Sequence, residues 1–260
     1  MSRKYFIWVF FVFSLSCSSD GDSGGDNQPI GETVDKTPNQ QAVGDTAQDL
    51  LVDETFTSLY LELYYVEGLR PSSETIDHFT DFLERRLNKP QGIRIELFEM
   101  TSPGQESYSV ADIRTIEDDI RTAYNDGSAL KAFGLFLDGA YAENTENGSV
   151  LGIAYRNTSF VLFSETIREF SGQPLAPSTT VLESTVLDHE FGHLLGLVNA
   201  GTPLQSQHQD VEYGRHCTAE DCLMYWTAET GEGLVNMISG GAVPPLDQAC
   251  LDDLRAFGGK

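Results

Sequence analysis

His189, Glu190 and His193 stand as HExxH within the segment Leu-Asp-His-Glu-Phe-Gly-His-Leu-Leu-Gly-Leu at 187–197. Residues four apart lie on one face of a helix, with Cβ atoms about 5–6 Å apart. The two imidazoles can therefore share one metal ion, while Glu190 on the flank can hold a water and take its proton. That residue set carries out metal-assisted hydrolysis, which needs a third protein ligand and one position open to water. The chain has five histidines. Of the other three, His78 reads as a surface residue on an earlier helix, which leaves His208 and His216 as candidates for the third ligand. Asp210 could orient the His208 imidazole as a second-layer partner.

A helix must carry the motif, and the pattern supplies one over 180–197, where Leu187, Phe191, Leu194 and Leu195 form an apolar face opposite the histidines. Upstream, residues 56–66 read as a first strand. A helix follows from Pro71, Ser72 and Ser73 through Ile76, Phe79, Leu83 and Leu87 to Asn88 and Pro90. Residues 93–98 alternate as a second strand, and Ser109 caps a second helix through Ile113, Ile116, Ile120 and Tyr124. Residues 131–137 give a third strand, and 150–155 with 159–163 form a hairpin or edge pair about Arg156 and Asn157. The order is therefore strand, helix, strand, helix, strand, followed by the hairpin or edge pair.

The motif continues with Gly196 and so resembles the metzincin pattern HExxHxxGxxH, in which a glycine turn brings a third His to zinc. Asn199 stands where that His would be. The downstream run His216-Cys217-Thr218-Ala219-Glu220-Asp221-Cys222-Leu223-Met224-Tyr225 resembles the archaemetzincin branch, with 199–215 inserted between the glycine turn and the third ligand. The resemblance makes His216 the third zinc ligand, with His208 as its rival, and Met224 the methionine-turn residue beneath the metal. Tyr225 is either a stabiliser of the transition-state oxyanion or a packing residue. Archaemetzincins hold a second, structural zinc with this Cys pair and a downstream CxxC. Here only Cys250 follows, which argues against a second ion and for a short Cys217–Cys222 disulfide, with Cys250 as odd thiol or alternative partner.

The fold so implied is α+β and metzincin-like: a twisted mixed β-sheet of about five strands with an antiparallel edge strand, packed on the active-site helix and further helices. The activity implied is that of a zinc metalloendopeptidase, with a metal-bound water attacking the peptide carbonyl and Glu190 as general base. Substrate would lie extended along the edge at 150–163. The competing reading is a surface binding or adhesin module on the same scaffold; the retained Glu190 weighs against it, because a purely structural zinc site needs no base.

A net charge of −24 repels phosphates and anionic membranes and excludes nucleic acid as a partner class. With 15 Phe and 10 Tyr there is material for a core, so the charge belongs outside it. Residues 1–17 read as an export signal: Arg3 and Lys4 precede an apolar run too short to span a bilayer, and Ser14, Leu15 and Ser16 lead into Cys17. The pattern resembles a bacterial lipoprotein signal, implying lipidation of Cys17 and an outer-membrane anchor, surface-exposed. Residues 18–47 are expected as a flexible acidic tether and 48–260 as one monomeric catalytic domain acting on peptides or proteins.

Overall fold

The computed structural model describes residues 34–145, 148–238 and 241–260, with Val34–Lys260 forming one compact unit. Helix α1 (Ala47–Leu51) precedes strand β1 (Ser58–Val66). Helix α2 (Ser73–Arg86) and strand β2 (Ile93–Met100) follow, then the short β3 (Ser107–Tyr108) and helix α3 (Val110–Ile120). Next come β4 (Ala129–Leu137), the short β5 (Ala140–Tyr141), β6 (Gly152–Arg156), β7 (Ser159–Phe163) and helix α4 (Ser164–Ser171). Helices α5 (Thr179–Leu194), α6 (Gly231–Met237) and α7 (Gln248–Ala256) complete the chain. Each strand and helix expected from the pattern is present, with ends displaced by a few residues.

The main sheet has the order β2-β1-β4-β7-β6. Its first four strands are parallel and β6 runs antiparallel on the edge, joined to β7 with a register shift between Ala154 and Arg156. This is the α+β mixed sheet with an antiparallel edge strand that the resemblance implies. Strand geometry explains its two cores, since successive side chains leave opposite faces. Leu59, Leu61, Leu63, Leu130, Ala132, Phe136, Phe160 and Leu162 face α2 and α5. Phe133, Leu135, Leu137, Val161 and Phe163 face the other way, toward Ile113 of α3 and Tyr108.

Local chemistry sets the helix starts. Ser72, Ser109, Ser178 and Asp247 each accept a backbone N–H from the first turn of α2, α3, α5 and α7, and Ser109 with Asp112 forms a reciprocal capping box. Helix α5 is buried all round from Leu182 to Leu194, rather than on one apolar face. It lies between the sheet, α2 and the loops after residue 195, so its polar side chains are enclosed by protein.

Within the tether expected over 18–47, residues 34–38 are exposed and the chain packs from Asn39 onward. Asn39 and Asn157, both fully buried, explain how so polar a segment docks. The Asn39 amide donates to Asn125 Oδ1 and the Lys131 carbonyl, while Asn157 donates to the Pro38 carbonyl and accepts from the Gln41 N–H. Side chain to main chain hydrogen bonds here do what apolar burial does elsewhere. Residues 1–33, which include Cys17 and the export signal, lie outside the described residues. Among those described, no helix is long and apolar enough to cross a membrane.

Candidate metal centre

Helix α5 ends at a sharp turn in which Gly196, Val198 and Asn199 all take positive φ, at 70°, 53° and 62°. A Cβ on Gly196 would lie 2.6 Å from the Thr202 backbone nitrogen, so the chain leaves the helix as the glycine turn requires. The Asn199 side chain points away to Gln209 and takes no part in the site. The insert then travels round and returns His216 to the helix.

His189, His193 and His216 converge with Glu229. The His189 Nδ1–H donates to the Leu223 carbonyl at 2.7 Å and the His216 Nδ1–H to the Tyr213 carbonyl at 2.7 Å. Both rings are thereby fixed in the tautomer that turns a bare Nε2 lone pair inward. The Nε2 atoms of His189 and His193 are 3.1 Å apart. Glu229 Oε1 sits 3.4 Å from His189 Nε2, 3.0 Å from His193 Nε2 and 2.9 Å from His216 Nε2, the last without hydrogen-bond alignment. Nitrogen lone pairs and a carboxylate oxygen brought this close repel one another unless a cation lies among them. A tetrahedral zinc with bonds of about 2.0–2.1 Å spaces its ligand atoms roughly 3.3 Å apart, so this donor set fits zinc. Burial holds His193 down to about 4, which keeps its ring neutral, as a ligand must be.

Glu190, the next residue on α5, is fully buried and neither carboxylate oxygen has a hydrogen-bond partner; the Ala154 amide faces it without closing a bond. Burial, then the charge of Glu229, pushes its carboxyl well above the usual range. A Cβ on Gly152 would come within 2.8 Å of Glu190 Cγ, so glycine at the start of β6 is what lets the edge strand lie against the carboxyl. Met224 is fully buried, and its sulfur would be 2.4 Å from a Cβ on Gly192; the methionine packs against the helix at the one position in HEFGH that leaves room.

In front of these groups is a cavity of about 390 Å³, walled by Ile153 and Ala154 of β6, by Tyr141, by Val43 from the N-terminal segment and by Arg215. Tyr225 is not among its lining residues. The tyrosine near this loop that stacks is Tyr213, on Trp226, with centroids 4.1 Å apart.

His208 stands elsewhere. Its Nε2 is 2.7 Å from Asp253 Oδ2, and its Nδ1 is 3.4 Å from Cys217 Sγ and 3.9 Å from Cys250 Sγ. Cys222 Sγ is 3.7 Å from Cys250 Sγ. All three thiols are free and fully buried, so the Cys217–Cys222 disulfide is not formed. Cys222 Sγ faces Cys250 Sγ on α7 at 3.7 Å, far more than the roughly 2.05 Å of an S–S bond, so the alternative bridge to Cys250 is not formed either. Among the described residues, the ligand atoms of His208, Cys217, Asp247 and Cys250 gather here within 4.8 Å of one another, a donor set of the kind zinc accepts, with Cys222 Sγ beside it. Backbone N–H groups of Met224 and Asp247 each point at Cys222 Sγ from 3.4 Å, as donors to a thiolate do.

Two residues of this architecture escaped the sequence. Glu229 is one of 40 acidic residues, and nothing in Trp-Thr-Ala-Glu distinguishes it. Val43 lay inside a stretch whose composition reads as tether, though it is the kind of apolar side chain that a tether has no use for.

No family model matches the chain, and no curated protein matches it. Among solved structures, the crystal structure of archaemetzincin from Methanopyrus kandleri aligns at 16% identity over 77% of this chain and 96% of that one, with a TM-score of 0.50. Metalloproteinase-II from Bacteroides fragilis aligns at 16% identity over 80% of this chain and 55% of that one, with a TM-score of 0.42. The chain has the fold of the archaemetzincin structure.

Proposed function

We propose that this chain is a zinc-dependent endopeptidase in which His189, His193 and His216 hold the metal and Glu190 is the general base. The observation that carries the reading is the pairing of inward-facing imidazole lone pairs with an orphaned, buried carboxyl one residue along the same helix, at the floor of a cavity. A structural zinc centre has no use for an unpartnered acid beside it; a hydrolytic one does.

Zinc bound there supplies a Lewis acid that polarises the scissile carbonyl and makes water nucleophilic near neutral pH. Strand β6 offers the edge along which a peptide can lie extended, with Gly152, Ile153 and Ala154 on the cavity wall. Glu190 takes the proton from the attacking water as the new C–O bond forms. Its raised affinity for a proton suits it to hold that proton until the C–N bond breaks, and then to pass it to the leaving amine. Met224 supports the rings from below and exchanges no proton.

The sulfur cluster supports a second reading within the first: a structural zinc held by His208, Cys217 and Cys250 with Asp247 or Cys222 as the fourth donor, and with Asp253 orienting the imidazole. The export and anchoring of the chain through Cys17 belong to the same proposal and would show as a lipid-modified N-terminus by mass spectrometry. The central test is Glu190→Gln. Turnover of a peptide library should fall by about 10²–10⁴ while zinc content stays at the wild-type level. Cleavage undiminished in that variant removes the base, and stoichiometric zinc with no cleavage by the wild type leaves the binding-module reading.

A further inference from the structure

We infer that Glu229 is the fourth ligand of the catalytic metal in the resting protein, closing the centre as His3Glu, and that its carboxylate must swing aside before water and substrate can enter. The inference rests on the endopeptidase reading for its functional half and on geometry alone for its ligand half.

Four separations among Glu229 Oε1 and the Nε2 atoms run from 2.9 to 3.4 Å, so the oxygen stands at a vertex equivalent to the nitrogens and not behind them. An open hydrolytic site keeps that vertex for water, whereas a closed site fills it with protein. As found, this site is closed, and Glu190 has no hydrogen-bond partner within it.

The two carboxylates differ in their freedom. Glu190 is fully buried beneath β6, whereas the Glu229 side chain is 28% exposed and has solvent to move into. The Glu229 backbone is fixed: its carbonyl accepts the Leu151 N–H at 2.9 Å, and the Gly231 N–H donates to the Ser149 carbonyl at 3.0 Å. These bonds attach the turn carrying Glu229 to the residues just before β6. A peptide entering along β6 therefore arrives beside the carboxylate that it has to displace. Such an arrangement holds the metal tightly in the free protein and opens to groups that bind zinc better than one carboxylate oxygen.

The ligand half is read on metal alone. In Glu229→Ala, zinc affinity measured by chelator competition should weaken about 10–100-fold, and the visible spectrum of the cobalt-substituted protein should change. Acetohydroxamate should bind the variant at least several-fold more tightly, having no carboxylate to displace. Glu229→Gln, of nearly the same shape, should reproduce these changes with an unaltered circular dichroism spectrum, which separates ligand loss from misfolding. Affinity and cobalt spectrum unchanged in both variants overturn the assignment while leaving the endopeptidase reading intact. Wild-type protein that takes up no metal overturns both. At saturating zinc the initial peptidase rate of Glu229→Ala should rise several-fold; a fall to the level of Glu190→Gln would make Glu229 a participant in turnover and not a gate.

Discussion

His216 and Cys217 are neighbours in the chain, yet they face two side-chain clusters of opposite character. In an extended segment successive side chains leave on opposite sides. His216 turns toward α5 and the cavity, and Cys217 toward His208 and α7. On the sulfur side, partners are in place: Asp253 takes the far nitrogen of His208, and backbone N–H groups face Cys217 and Cys222. On the imidazole side there is a cavity, a carboxyl with no partner and a second carboxylate partly in solvent. The difference teaches that a centre built to be permanent satisfies its surroundings, while one built to react leaves groups unsatisfied next to open space.

The strongest way to break this comparison is to exchange the two histidines' fates. His216→Ala should abolish peptide turnover and lower zinc content by one ion, with the sulfur centre still loaded. His208→Ala should also lose one ion but keep turnover at temperatures where it stays folded. If His208→Ala alone removed activity, the assignment of the two centres would be reversed. Zinc per chain by elemental analysis, paired with a peptide assay, decides it.

Next in size, Cys250→Ser should destabilise the fold. The binding energy of a structural zinc is folding energy, so removing one thiolate is expected to cost about 4 kcal/mol, or roughly 10 °C in a chain of this size. Tris(2-carboxyethyl)phosphine, a reductant without thiols, should leave the wild-type melting temperature unchanged, since Cys217, Cys222 and Cys250 are free; a marked fall with this reductant would restore the bridge. Smaller again, Gly192→Ala places a methyl group 2.4 Å from the Met224 sulfur. Overpacking of this kind costs about 1–3 kcal/mol. The displaced methionine should lower kcat at unchanged zinc content, because the support beneath the imidazoles shifts.

What could be read from residues alone follows the range of the interactions involved. Helix α5, its two imidazoles and Glu190 depend on spacing within a few turns, and the alternation of strands and helices announces the parallel part of the sheet. His216 was reachable through a motif whose spacing survives the insert. The surroundings of His208 were not: Cys217, Cys222, Asp247 and Cys250 gather about it across loops with no periodicity to follow, and a pair of cysteines five apart suggested a disulfide instead. Glu229 comes to the three imidazoles only once the turn after Met224 has docked on residues 149–151. The docking of 39–47 was hidden for a different reason, since Asn39 and Asn157 hold it with hydrogen bonds and polar composition mimics disorder.

Glu183 supplies the finest test of the comparison, because it too is a buried carboxyl on α5, yet it does not line the cavity beside Glu190. Its side chain is nearly sealed from solvent, Oε1 has no partner, and Oε2 accepts only the Thr75 hydroxyl, at 3.4 Å. Burial pushes its pKa up to about 7, against an ordinary 4.5, with Arg168 and Thr75 countering in part. Above pH 4.5 the unfolded chain gives up this proton while the folded chain keeps it until about 7. The folded state thus binds more protons in that window, and its contribution to stability falls as pH rises from 4.5 to 7, then levels off. Glu183→Gln removes the titration, so its gain over wild type should be small near pH 4.5 and grow toward neutrality, to at most about 3 kcal/mol. Peptide turnover should not change. Urea denaturation of both proteins across that range measures the gain, and a difference that stays flat with pH would show Glu183 ionised in the fold. A loss of turnover in this variant would mean that an unsatisfied carboxyl on α5 matters to the chemistry even away from that cavity.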